Sequence, residues 1–329
     1  MKTMAKTIDV TGLGEAMVEF NQTIAGRVEY RQGFGGDTSN AVIAAARAGA
    51  RTAYLTRLGQ DQFGLMLLDL WRREAVDCSA IVQDTEAATG IYFVSHDATG
   101  HAFSYLRANS AASRMNPAWL VSSAVKGAIE ASKILHVSGI SLAISASACE
   151  TVFAALQIAR DANTLVSLDS NLRLKLWPLA RAQACIQQAM EHCDIFLPGL
   201  DDMQVLTGLT DADAIVDWSH AHGALQVALK LGDQGVLVSD GKSRQRIAPI
   251  RVQCVDATGA GDCFGGNLLA RIAQGKPLVE AARYANAAAA LAVQGFGAVD
   301  PLPTTRQVLE LLGGQAAQTP SPPTAKNLA

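Results

Sequence analysis

From residue 133 to residue 294 the chain alternates short apolar runs with longer stretches of helical periodicity, and few folds accommodate that alternation. The runs at 133–137, 165–169, 194–197, 225–230 and 235–239 are strand candidates. The stretches at 147–161, 181–191, 212–222, 259–273 and 278–294 are helix candidates. Such a pattern argues for an α/β fold, a mostly parallel sheet with helices on both faces. The N-terminal part opens the same way. A buried strand at 8–13 leads, through a polar interruption, to an alanine-rich helix at 40–50 that Asp37 or Thr38 would cap, then a strand at 51–57 and a helix at 62–74. With 329 residues, 49% of them apolar, the chain can fill one large α/β domain with a small appendage.

Two segments break the alternation. Residues 15–34 are polar, with strand-like alternation through Val28-Glu29-Tyr30-Arg31-Gln32. Residues 90–95 and 101–107 read as a strand pair joined by Asp97-Ala98-Thr99-Gly100. Paired at the carboxyl ends of the main strands, where α/β proteins bind ligands, they would form a small β-sheet lid. The expected division is a core of 7–14, 36–88 and 110–314, a lid of 15–35 and 89–109, and a disordered tail at 315–329.

Composition removes several classes of partner. A formal charge of −3 gives no footing for nucleic acid or an anionic membrane. The six cysteines form no CxxC pair, and the six histidines form no HxxH or HExxH, so reduced thiols in a cytoplasm are expected and a zinc framework is not. Residues 1–7 lack an apolar signal core, and the alanine-rich stretch 285–293 is too short to span a bilayer. Gly12-Leu13-Gly14 lacks the third glycine of a dinucleotide fingerprint, which has Met17 in its place.

The chemistry is concentrated in Asp256-Ala257-Thr258-Gly259-Ala260-Gly261-Asp262, followed by the apolar helix candidate. A glycine turn feeding a helix N-terminus is an anion site, because unpaired amides and the helix dipole both favour negative charge. Asp262 is out of place there unless it takes a proton from an attacking hydroxyl. A second glycine turn, Gly35-Gly36-Asp37-Thr38-Ser39-Asn40, precedes the alanine-rich helix.

These two runs, in this order on this pattern, resemble the signatures of the ribokinase-like (pfkB-type) carbohydrate kinases, and the likeness extends over the whole chain except the tail. Within that family the chain is most similar to 2-keto-3-deoxygluconate kinases, through Gly90-Ile91-Tyr92-Phe93, the stretch from Phe103 to Ala111, Leu135-His136-Val137-Ser138-Gly139-Ile140 and Ser167-Leu168-Asp169-Ser170-Asn171-Leu172-Arg173. The resemblance implies a three-layer α/β/α core with a β-sheet lid, and ATP-dependent phosphorylation of O6 of 2-keto-3-deoxygluconate. Asp262 would be the base, and Gly259, Ala260 and Gly261 the amides that stabilise the transferring phosphate.

Gly35, Gly36 and Asn40 would meet the sugar. Tyr92, Tyr105, Arg107 and Arg173 would form the acid-sugar site, since tyrosine stacks on a sugar face and arginine matches a carboxylate bidentately. Lys230, Gly232, Gly235, Thr258 and Asn286 would lie on the nucleotide side, although a plain hairpin explains the 230–235 turn equally well. Magnesium would accompany ATP. Relatives often carry Asn-x-x-Glu where this chain has Gly199-Leu200-Asp201-Asp202, so Asp202 keeps the carboxylate and the amide is lost. Asp256 with Thr258 is a candidate site for a monovalent cation such as K+. Exposed lid strands offer edges for a homodimer. Another sugar kinase (a fructokinase or ribokinase) and a non-catalytic sugar sensor are the competing readings.

Overall fold

The computed structural model describes residues 6–22, 24, 26–27, 29–97 and 100–318. Its main sheet has nine strands, in the order Arg244–Ile247, Val236–Ser239, Gln226–Lys230, Ile195–Leu197, Leu165–Asp169, Ser132–Ser138, Ile8–Leu13, Thr52–Leu55 and Val76–Asp77. All neighbours are parallel except the first two pairs, which form an antiparallel meander at one edge. Neighbouring residues along the strands feed different cores, as the alternation of side chains requires. Ile134, Ile195 and Leu197 join an apolar cluster with Ile43, Trp71 and Leu268, whereas Leu135 and Phe196 join one with Leu142, Leu156 and Ile186. The sheet is therefore the middle layer of three, with helices on both faces.

A second sheet of four strands has the order Tyr30–Gly35, Met17–Gln22, Ile91–Asp97 and Gly100–Leu106. The two polar interruptions meet in it, with Val18 opposite Ile91 in a parallel pair that joins them. The turn residues Ala98 and Thr99 lie outside the described residues.

Two local readings need correction. The cap of the helix Asp37–Arg47 is Gly36, at φ 121°, and neither Asp37 nor Thr38 holds that place. A Cβ at Gly36 would sit 2.6 Å from the Glu15 carbonyl oxygen, so only glycine fits this entry. The last helix, Thr305–Gln318, reaches into the stretch expected to be disordered, and residues 319–329 lie outside the described residues. The alternation also left unseen a separate parallel pair, Arg57–Gly59 with Val82–Asp84, and the helices Ser123–Glu130 and Leu200–Thr207.

One packing contact positions the site. The helices Asp37–Arg47 and Ala260–Ala273 lie so close that a Cβ at Gly266 would collide with the Ala41 carbonyl. Small residues on both sides (Ala41, Ala44, Ala45, Gly265) permit that approach, and the first turns of both helices reach one cleft.

Candidate active site

Gly259 caps the helix Ala260–Ala273 in the left-handed region, at φ 74°, with room for no larger residue because a Cβ would press on Ala298 at 3.0 Å. The Asp256 carboxylate shapes this turn: Oδ1 accepts from Thr258 N at 2.9 Å and from Thr258 Oγ1 at 2.7 Å, and Oδ2 accepts from Gly297 N at 2.9 Å. The Ala260 amide bonds Ala257 O and the Cys263 amide bonds Gly259 O. The amides of Gly261 and Asp262 find no partner among the described residues, as the first turn of a helix dictates. Lys230 Nζ lies beside them, 3.5 Å from where a Cβ on Gly261 would stand. Two free amides, a helix dipole and an ammonium suit a phosphate.

Asp262 stands in this first turn, half-buried, with Oδ2 accepting from Asn40 Nδ2 at 2.8 Å across the two helices. Carboxylates gather behind it. Asp37 is buried and accepts from Asn171 Nδ2 at 2.8 Å. Asp169, also buried, takes Lys230 Nζ on Oδ2 at 2.5 Å and the Asn171 amide on Oδ1 at 3.1 Å. Burial is the largest influence on the Asp262 carboxyl, and the charges of Asp37 and Asp169 add to it. Asn40 and Lys230 pull the other way, and the group comes to rest at about 7. A base poised near neutral pH is the arrangement general-base catalysis calls for. Under this floor His136 is held neutral by burial, with Nδ1 3.2 Å from Ser167 Oγ.

Across the cleft, Tyr92 is buried and donates its hydroxyl to Glu19 Oε2 at 2.5 Å, and it crowds Gly35 so closely that a Cβ there would collide with it. Tyr105 pairs with Tyr92 across the strands, their rings 5.6 Å apart, and remains 44% exposed. Burial lifts the Tyr105 phenol above its ordinary value, while the positive charges of Arg107 and Arg173 oppose the rise, so both cations act on this one ring. They differ otherwise. Arg107 lies just past the strand end at Leu106 and forms an ion pair with Glu15, whose side chain is 1% exposed and also accepts from Ser110 Oγ at 2.5 Å. Arg173 is exposed, bonds only its neighbour's carbonyl at Leu172, and makes no ion pair among the described residues.

The remaining nucleotide-side candidates divide. Gly232 at φ 60° has open space around it, whereas Gly235 at φ 88° is demanded by packing against 247–249. Both belong to a turn joining antiparallel strands, with Lys230 at its start reaching Asp169. Asn286 donates Nδ2 to Ala248 O at 2.9 Å. Asp202 Oδ2 accepts from Ser170 Oγ at 2.9 Å and Leu172 N at 3.1 Å, which ties the Arg173 loop to the next helix, and burial raises its carboxyl. No cluster of three or more His, Cys, Asp or Glu side chains fit to hold a metal forms among the described residues. Asp202 offers a single carboxylate, and magnesium is commonly held through substrate phosphates and water with few carboxylates. Four residues escaped the sequence reading. Glu15, Asp37 and Asp169 sit at strand ends or glycine turns, a signal that pointed to them, whereas Glu19 lies inside the strand Met17–Gln22 and carries no such signal.

A model described as pfkB family carbohydrate kinase matches residues 5–305. The chain is 32% identical over 321 residues to probable fructokinase-4 of Arabidopsis thaliana, covering 93% of this chain and 97% of that protein. It is 31% identical over 316 residues to 2-dehydro-3-deoxygluconokinase of Bacillus subtilis, covering 94% and 96%. Among solved structures, a fructokinase double mutant from Vibrio cholerae O395 with fructose, ADP and potassium ion bound superposes with a TM-score of 0.82 at 27% identity, covering 94% of this chain and 100% of the other. The fold is the ribokinase-like one, with its large mostly parallel sheet and separate small sheet. A carboxylate poised at a glycine-turned helix N-terminus, on this fold and with these relatives, makes the chain a member of the pfkB family of carbohydrate kinases, phosphotransferases with an alcohol acceptor.

Proposed function

We propose that this kinase phosphorylates O6 of 2-keto-3-deoxygluconate with ATP. The observation that carries the acceptor is Arg173, an exposed cation with no ion pair among the described residues, at the same end of the cleft as the half-exposed Tyr105 ring, a cationic and aromatic end suited to a carboxylate. Asp262 Oδ takes the proton of the terminal hydroxyl as that oxygen attacks the γ-phosphate in line and ADP leaves. The Gly261 and Asp262 amides with Lys230 stabilise charge on the transferring phosphoryl group. Asp202 is the candidate carboxylate for the water shell of Mg2+, which would supply charge neutralisation for ATP. Asp256, whose carboxylate already joins Thr258 to Gly297, is the candidate for a monovalent cation such as K+.

The lid closes water out so that ATP is not hydrolysed. A cytoplasmic location accords with six free cysteines. Tyr30, Leu106 and Ile24 leave exposed apolar surface on the lid for a second copy of the chain.

One observation favours a neutral acceptor. Glu15 offsets the charge of Arg107, which leaves Arg173 as the free cation of this end, and fructokinases stand among the relatives. An ADP-release assay with 2-keto-3-deoxygluconate, its galactose-derived epimer, fructose and ribose decides between them. The proposal requires the acid sugars to show the higher kcat/KM, and preference for fructose overturns it.

A further inference from the structure

Two of the free cysteines touch each other, away from the catalytic groups. Cys149 is buried in the first turn of the helix Ala146–Asp161, and its S–H donates to Cys185 Sγ at 3.9 Å. Cys185 is half-buried on the helix Leu179–Met190, which makes it the more accessible sulfur. Burial and the Cys185 sulfur push the Cys149 thiol up from its ordinary value, so it is the protonated partner. Arg181, one turn before Cys185, opposes that rise: its guanidinium reaches the Cys149 sulfur and favours the thiolate. A disulfide needs its sulfurs at about 2 Å, so this pair is about 2 Å from bonding.

The two helices support one functional segment. The helix of Cys185 follows directly on residues 170–178, where Asn171 holds Asp37, the Leu172 amide holds Asp202 and Arg173 is exposed. Trp177 anchors the end of that segment, 5% exposed in the apolar cluster that includes Cys149, Ala182 and Ile186. The helix of Cys149 follows the short helix Gly139–Ala143, which packs on the same segment so tightly that a Cβ on Gly139 would collide with the Ser170 carbonyl. The cysteines are 36 positions apart, and the chain between them contains the whole segment. A close-packed interior transmits a displacement of this size.

We propose that Cys149 and Cys185 form an oxidation site: a hydroperoxide converts their contact into a disulfide, which draws the two helices together, displaces residues 170–178 and slows transfer to the acceptor. This rests on the reading of that segment as a wall of the acceptor site, and not on which sugar binds. The Cys185 sulfur attacks the O–O bond, loses its proton and becomes a sulfenic acid, while the other oxygen leaves as an alcohol, or as water from hydrogen peroxide. Cys149 then attacks the sulfenic sulfur, the S–O bond breaks, and the departing hydroxide takes the Cys149 proton to become water. The two thiols lose two electrons and the peroxide gains them. Arg181 supports the charge on Cys149 as its proton departs. A thiol reductant reverses the change, as suits the transient disulfides of a reducing compartment.

The test treats reduced wild type, Cys149→Ser and Cys185→Ser with hydrogen peroxide and assays each with the best sugar of the panel. Before treatment the three turn over alike. After it, peptide mapping by mass finds Cys149 joined to Cys185 in wild type. There kcat/KM for the sugar falls, toward the loss of about 10²-fold that a misplacement of about 1 Å brings, and a thiol reductant restores it. Cys149→Ser forms no cross-link and accumulates Cys185 sulfenic acid, trapped by dimedone, and Cys185→Ser keeps its activity. Cys254, exposed two residues before Asp256, is present in every variant, so a loss that persists in Cys185→Ser arises elsewhere and overturns the proposal. A cross-link that leaves kcat/KM unchanged overturns it too, as does Cys185 driven to sulfinic acid in wild type with no cross-link, and in each case the kinase stands. Absence of turnover on every sugar before oxidation overturns both. If Cys149→Ser does not fold, Cys185→Ser carries the comparison.

Discussion

The two walls of the cleft treat charge in opposite ways. The floor gathers Asp37, Asp169 and Asp262 against a single ammonium, Lys230, and leaves negative charge in excess. The lid wall gives a partner to what it buries: Glu15 is paired with Arg107 and accepts from Ser110, and Glu19 accepts from the Tyr92 hydroxyl. An unbalanced floor holds a carboxyl near neutral pH and calls for cations with the phosphates, which is a requirement of the reaction. A lid whose buried carboxylates are each paired or hydrogen-bonded works through shape and a few donors.

This contrast is broken most directly at Asp262. Asp262→Asn is expected to cut kcat by roughly 10²–10⁴ while ATP and sugar still bind, the usual worth of a positioned base. Near-normal turnover would remove Asp262 as the base. Next in size, Arg107→Ala strands the buried Glu15 carboxylate and should cost about 3–5 kcal/mol of stability, measured by denaturant unfolding. A loss confined to KM, with stability unchanged, would show that Arg107 serves the ligand and not the wall.

The floor has its own signature against pH. The Asp262 carboxyl is raised in the folded state from 3.8 to about 7, so the native protein binds the proton more tightly than the unfolded chain. Stability therefore falls as pH rises between those values, by up to about 4 kcal/mol. Asp262→Asn should melt above wild type at pH 8, with the gap closing near pH 4. In the same window the activity of wild type runs the other way, since kcat/KM falls as pH drops below about 7 and the base is protonated. Identical melting of the two proteins at pH 8 contradicts the strained floor.

Arg173→Ala sharpens the comparison on the other side. It pairs with no carboxylate among the described residues, so stability should stay within about 0.5 kcal/mol, and KM for an acid sugar should rise about 10–100-fold with little change for fructose. The smallest effect belongs to the exposed pair between the lid and the main domain, Arg31 with Asp300 at 2.6 Å. Arg31→Ala should cost under about 1 kcal/mol, and a larger loss would mean that the pair latches the lid.

Much of the molecule was legible in the chain because its cause is local. The strands Ile8–Leu13 and Leu165–Asp169 fall at the residues their apolar runs mark, and the helix Gln62–Arg73 begins one residue past its Asp61 cap. Asp262 was marked by a glycine turn and an apolar helix within a dozen residues. The short strands Arg57–Gly59 and Val82–Asp84 escaped because three residues carry too little periodicity, and they exist through pairing with each other. The last turn of Thr305–Gln318 escaped because a polar, proline-flanked tail reads as disordered whatever the helix before it does.

By itself, the sequence determined the alternation that makes a parallel sheet, the two glycine turns, and a carboxylate placed among free amides. These follow from side-chain period and backbone freedom, which act over a few neighbours. Only the tertiary structure decided how charges separated by many residues meet. Arg107 is paired with Glu15 while Arg173 makes no ion pair among the described residues, Lys230 holds Asp169 beside the Gly261 turn, and Asp37 keeps one buried oxygen without a partner. The physical reason is that a charge has no period. Its effect depends on burial and on which opposite group the fold brings within a few ångströms.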